Sequence, residues 1–94
     1  MVYKDINKIE NIEKFVSLKS LWIRFRNIKK IQNLDNQTLL ENLDMRSNQI
    51  RVIENLSHLS LLQTLNLQGN QIKIISGLKG LNFLENLDLS SNLI

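Results

Sequence analysis

A period of 22 residues runs through this chain and leaves few folds open to it. Leu18, Leu40, Leu62 and Leu84 stand 22 residues apart, as do Leu21, Leu43, Leu65 and Leu87. Ile23, Met45, Leu67 and Leu89 make a third column, and Ile6, Ile28, Ile50, Ile72 and Ile94 a fourth. Ile9, Ile31, Ile53 and Ile75 form another, as do Ile12, Leu34, Leu56 and Leu78. Phe15, Leu59 and Leu81 share one more, interrupted only by Gln37. A fixed period of this length marks one supersecondary unit stacked repeatedly on itself.

The best-formed unit runs from Leu40 to Leu61 and begins Leu-x-x-Leu-x-Met-x-x-Asn-x-Ile. That pattern matches the leucine-rich-repeat template, in which a short strand turns alternate side chains inward. Leu43 and Met45 are then core residues, and strand alternation sends Asn42, Asp44 and Arg46 to the other face. The chain turns at Asn48 and returns through Ile50, Ile53, Leu56 and Leu59. Apolar spacings of three suit short 3₁₀ or irregular turns better than a helix. One unit could not fold alone. Ordering a residue's backbone costs about 1–2 kcal/mol, and a buried aliphatic side chain returns about 1.5–3 kcal/mol only when a neighbour covers it. Stability therefore belongs to the array.

Asn48, Asn70 and Asn92 form a polar column at the strand exit. Backbone groups turned inward there lack ladder partners. A carboxamide has both donors and an acceptor, so it can bond the backbone of its own turn and the next. The column holds Arg26 in the second unit and Lys4 in the first. A guanidinium accepts no hydrogen bond, so either Arg26 swings out to solvent or Asn27 takes its place through a local shift.

The 22-residue spacing, with Asn-Gln-Ile followed by Ile53-Glu54-Asn55-Leu56, resembles the leucine-rich-repeat subclass typified by a regulatory subunit of type-1 protein phosphatase. Similar repeats occur in axonemal and ciliary proteins and in cytoskeletal and nuclear adaptors. The resemblance covers nearly the whole chain. It implies an α/β leucine-rich-repeat solenoid, with a curved parallel sheet on the concave side and short 3₁₀ or irregular returns on the convex side. The array divides into a partial repeat at 1–17, repeats at 18–39, 40–61 and 62–83, and a partial repeat at 84–94. Met1 falls inside a strand by register. No polar capping repeat is evident at either end, so the chain reads as part of a longer protein, or as one whose ends further repeats or partner subunits cover.

Chemistry-bearing constellations are scarce. His58 is the single histidine and cysteine is absent, so neither a metal cluster nor a catalytic triad is expected. His58 matches Asn36 and Gly80 in the adjacent units, a variable position that reads as solvent-facing. No glycine-rich phosphate loop is present, and no cofactor is implied. An enzyme is not expected. The lack of cysteine also points to a cytoplasmic protein, with cytoskeletal, ciliary or nuclear sites open. The triplets Asn36-Gln37-Thr38 and Asn55-Leu56-Ser57 are read as coincidental glycosylation patterns. No apolar run approaches the roughly 18 residues of a membrane span, and no membrane partner is expected. Net charge is +3, with basic residues interspersed among acidic ones. Arg24 and Arg46 share a column, but Gln68 and Ser90 continue it, which disfavours nucleic acid as a partner.

What remains is the concave sheet. Three outward columns are expected there: Ser20, Asn42, Thr64 and Asn86; Trp22, Asp44, Asn66 and Asp88; Arg24, Arg46, Gln68 and Ser90. Their variation against a repeating framework fits a surface that binds another protein. Trp22 and Arg are typical interface anchors; a bland alternative is that Trp22 only covers its irregular neighbour. Phe25, aligned with Ser47 and Gly69, reads as a second anchor or a local plug. The expected function is a protein-interaction scaffold, as a regulatory or adaptor subunit of a phosphatase or a cytoskeletal or axonemal complex. A structural spacer within a larger chain is the alternative.

Overall fold

The computed structural model describes residues 8–94 and, as backbone, Tyr3–Asp5. Met1, Ile6 and the side chain of Lys4 lie outside the described residues. Five strands of three residues, β1 (Tyr3–Asp5), β2 (Ser20–Trp22), β3 (Asn42–Asp44), β4 (Thr64–Asn66) and β5 (Asn86–Asp88), form one parallel sheet in chain order. Register is uniform from β2 onward: Leu21 pairs with Leu43, Leu43 with Leu65, and Leu65 with Leu87. β1 breaks the period, with Tyr3 opposite Ser20 and Lys4 opposite Leu21, so the first coil is 17 residues, five short of each later one, and Lys4 lies within the strand instead of in the asparagine column.

The strands are short because the ladder soon passes into turns that keep bonding coil to coil. Met45 N donates to Asn66 O (2.8 Å), Ser47 N to Gln68 O (2.8 Å) and Gln49 N to Ile28 O (2.8 Å). Ser47 and its counterparts Phe25, Gly69 and Ser91 all have left-handed backbone, with φ between 56° and 71°. That kink ends the extended segment after a few residues.

The columns read from the sequence are the core. Leu18, Leu21, Ile23, Leu40, Leu43, Met45, Leu62, Leu65 and Leu67 are buried, with Ile31, Ile53, Leu34, Leu56 and Leu59 packed behind them. Leu87 and Ile94 have a neighbouring coil on one side only and are exposed. The returns contain no helix among the described residues. Each coil instead makes two separate i→i+3 turns, such as Leu59 N to Leu56 O (2.9 Å) and Leu62 N to Leu59 O (3.1 Å). The threefold apolar spacing follows from these linked turns, each returning an aliphatic side chain to the interior.

A second column of asparagines, unnoticed in the sequence, ties the convex side together. Asn33 Nδ2 donates to Ile9 O (2.8 Å) and Asn55 Nδ2 to Ile31 O (2.7 Å). Both residues, like Asn11, have left-handed φ, which asparagine tolerates better than most residues. Asn55 thus has a structural reason to be there. His58 is half-buried rather than solvent-facing, with Nε2 2.8 Å from Leu34 O; as donor it bridges two coils.

Gln37 replaces a core aliphatic and is fully buried. Its Nε2 donates to Ile12 O (2.8 Å), while Oε1 has no hydrogen-bond partner. Ile12 O also accepts from Phe15 N (2.9 Å), so it keeps a partner when Gln37 is removed. Burying an unpaired polar atom costs about 1–3 kcal/mol. Gln37→Leu, which restores the column of Leu59 and Leu81, is expected to gain about 1 kcal/mol and to raise Tm by about 4–8 °C. Thermal unfolding followed by circular dichroism checks this. A lower Tm would mean that the carboxamide is satisfied in solution.

Candidate concave interaction face

Strand alternation places residues 20, 22, 24 and their 22-residue counterparts on the open side of the sheet. The burial patterns agree: in β2, β3 and β4 the central leucine is buried and both flanking residues are half-buried. The three expected columns therefore exist as surfaces. Asn42 Nδ2 donates to Ser20 Oγ across adjacent strands (3.0 Å), linking two members of the first.

The middle and third columns meet in a charged cluster. Arg46 grips Asp44 with two nitrogens, Nε at 3.1 Å from Oδ1 and Nη2 at 2.7 Å from Oδ2. This bidentate geometry is the strong form of the pair. Arg24 approaches the same carboxylate, Nε to Oδ2 at 3.8 Å, and lies over the Trp22 ring with its guanidinium carbon 5.1 Å from the centroid. Trp22, Arg24, Asp44 and Arg46 thus form one continuous patch. The Asp44 hydrogen bond, then its charge, raises the Arg46 pKa further above its ordinary value. Because Asp44 neutralises part of the arginine pair, the positive stripe is weaker than the sequence alone implies.

Asp44, Asn66 and Asp88 also have a task the sequence reading missed. Each side-chain oxygen accepts the backbone N–H two residues on: Asp44 from Arg46 (3.2 Å), Asn66 from Gln68 (3.0 Å), Asp88 from Ser90 (3.0 Å). Such local bonds pre-form the turn at the strand exit. Ser90 Oγ adds a bond to Asp88 (2.6 Å). The Ser90 hydroxyl, then its N–H, holds the Asp88 carboxyl below the usual aspartate range. This column was legible as Asp, Asn, Asp at 22-residue spacing, yet it looked variable because Trp22 occupies its second-coil position. Thr64, Asn86, Gln68 and Ser90 complete the expected face.

The Asn48, Asn70 and Asn92 ladder is present, with its direction corrected. Each carboxamide bonds its own turn and the preceding coil, not the following one. Asn48 Nδ2 donates to Met45 O (2.9 Å) and to Ile23 O one coil back (2.7 Å), while Oδ1 accepts from Arg26 N and Ile28 N (both 3.0 Å). Asn70 repeats this with Leu67 O, Met45 O and Ile50 N, and Asn92 with Leu89 O, Leu67 O and Ile72 N. Arg26 and Asn27 are both exposed, so neither takes the buried place of Asn48 and Asn70. Asn27 accepts instead from Gln49 Nε2 (3.3 Å). Phe25 is 67% exposed, which rules out the plug.

Among the described residues, no group of three or more His, Asp or Glu side chains is placed to hold a metal, and no helix is long and apolar enough to cross a membrane.

Residues 38–78 match the family model for leucine-rich repeats, in two copies. No curated protein matches the chain at a significant level. Among solved structures, an internalin from Listeria monocytogenes is similar, with a TM-score of 0.78 and 31% identity over 85% of this chain. The chain spans 24% of that internalin chain. Leucine-rich repeats act generally in protein–protein interaction, through the extended concave surface that stacking creates. The repeats seen here, their uniform register from β2 onward and these two likenesses together give this chain the fold of a leucine-rich-repeat solenoid.

Proposed function

We propose that this solenoid binds a partner protein through the concave patch of Trp22, Arg24, Asp44 and Arg46. The observation that carries the reading is Trp22 itself, set on the open face of β2 under the Arg24 guanidinium. Its column otherwise holds Asp or Asn, which support the turn. Tryptophan gives up that support and contributes apolar area where a partner would cover it. Phe25 supports the same reading. It is an exposed aromatic held at φ 57°, where other coils use serine or glycine; left-handed backbone costs a residue with a Cβ about 1–2 kcal/mol.

The finer assignment, a regulatory or adaptor subunit of a phosphatase or of a cytoskeletal or axonemal complex, is supported only by the 22-residue spacing and the Ile53-Glu54-Asn55-Leu56 signature. A spacer role is favoured by one observation: the Asp44, Asn66 and Asp88 column is already engaged by its own backbone.

The test is chemical cross-linking of captured partners with wild type and with Trp22→Ala/Arg46→Ala, with thermal unfolding as control. Both residues are on the surface, so the double variant should keep its cooperative transition. Partner cross-links to β2 and β3 should fall at least tenfold. Capture that survives the double substitution would favour the spacer.

A further inference from the structure

The second coil departs from the repeat at three positions around the exit of β2. Trp22 stands where the later coils have Asp44, Asn66 and Asp88, and Phe25 where they have Ser47, Gly69 and Ser91. Arg26 stands where they have Asn48, Asn70 and Asn92. Two of these changes remove a bond that the framework uses elsewhere, the turn acceptor of Asp44 and the ladder carboxamide of Asn48. The third puts a bulky side chain on left-handed backbone, which such residues rarely adopt. β2 is paired on both sides, by β1 and β3, so this coil has a neighbour on each flank.

Arg24 is the group in this neighbourhood whose donors stay unused. Arg46 makes the bidentate bond to Asp44, whereas Arg24 Nε stops 3.8 Å from that carboxylate, beyond hydrogen-bond reach. The Arg24 guanidinium makes no hydrogen bond among the described residues, and its nitrogens are open to solvent. It is nevertheless held in place. The Trp22 ring lies 5.1 Å from its central carbon, and only 33% of the side chain is exposed. Two guanidinium groups facing the Asp44 carboxylate leave one positive charge without a counter-charge. Arg26, exposed two residues on and without an ion pair among the described residues, adds to that field.

Resting on the concave reading above, we infer that Arg24 is the receptor for an acidic side chain of the partner protein. An Asp or Glu carboxylate takes the fork of the guanidinium, while an adjoining apolar side chain covers Phe25. The fork presents parallel N–H donors that match the two oxygens of a carboxylate, and the Trp22 platform fixes its plane before the partner arrives. A polyanion fits less well. The Arg24 and Arg46 column continues with the uncharged Gln68 and Ser90, and Asp88 lies close enough to act on Arg46, so further phosphates along the sheet would meet no cation. Phe25, 67% exposed and next in the chain, selects an apolar neighbour for the acidic residue.

The experiment selects random peptides displayed on phage against the full chain and titrates synthetic copies into ¹⁵N-labelled protein. Peptides with Asp or Glu beside an aliphatic or aromatic residue are expected. They should shift the Trp22 indole N–H and the Arg24 Nε–H resonances together with the amides of residues 22–26 and 44–46. Replacing the peptide's Asp or Glu by Asn or Gln should weaken binding to wild type about tenfold. On Arg24→Gln the acidic and amide peptides should bind alike, because the pair is already broken. Arg24→Gln should keep its cooperative thermal transition, since the guanidinium holds no hydrogen bond. Peptides that shift these resonances without an acidic residue, or an equal loss from the amide peptide on both proteins, overturn the inference and leave the concave reading standing. Shifts confined to other surfaces, or no enrichment, overturn both. Oligothymidylate giving the same shifts with equal affinity overturns the carboxylate as the ligand.

Discussion

Asn48→Ala is expected to be the most damaging polar substitution in this chain, costing about 3–5 kcal/mol. The Ile23 carbonyl and the Arg26 and Ile28 N–H groups have no other hydrogen-bond partner among the described residues. Alanine leaves all three unpaired, at about 1–3 kcal/mol for each group that water cannot reach. Asn70→Ala is milder, at about 1–3 kcal/mol. It orphans only Ile50 N, because Met45 O still accepts from Asn48 and Leu67 O from Asn92. The order of the two, read from chemical denaturation midpoints at constant m-value, tests the directional ladder. Equal losses would mean that each carboxamide serves only its own turn.

Gly77→Ala should cost about 2–5 kcal/mol, from left-handed strain and overlap together. Gly77 has φ 73°, and a Cβ there would overlap the Ile53 carbonyl oxygen and lie 2.9 Å from its carbon. Gly77 falls in the column of Asn33 and Asn55, whose side chains reach back to the equivalent carbonyls, Ile9 O and Ile31 O. Where the side chain is missing, the backbone itself closes on the preceding coil. Gly80→Ala is the control: φ is 88°, but its Cβ would meet only Ser57 O at 3.4 Å. The Gly80 variant should lose little more than the strain, and a Gly77 loss no larger would show that the coil slides away freely.

The apolar framework was legible because every core column but that of Gln37 repeats chemically: isoleucine, leucine and methionine exchange at one position without changing what it does. Leu21, Leu43 and Leu65 could be placed from sequence for that reason. Polar columns were harder. Asn48, Asn70 and Asn92 repeat one residue and stood out, whereas Asn33, Asn55 and Gly77 perform one task with two unlike residues. Asp44, Asn66 and Asp88 look like part of a variable face because Trp22 interrupts them, yet any side-chain oxygen serves the turn. Direction was the other loss. Spacing says that a carboxamide spans two coils but not which neighbour it reaches, since that depends on how the side chain leaves the turn.

Backbone nuclear Overhauser contacts between strands test the stacked-coil account most directly. Contacts linking residues 42–44 to 64–66, and 64–66 to 86–88, at a constant separation of 22 residues and in parallel sense, are the predicted result. Antiparallel contacts, or a separation between these three strands that differs from one pair to the next, would contradict it.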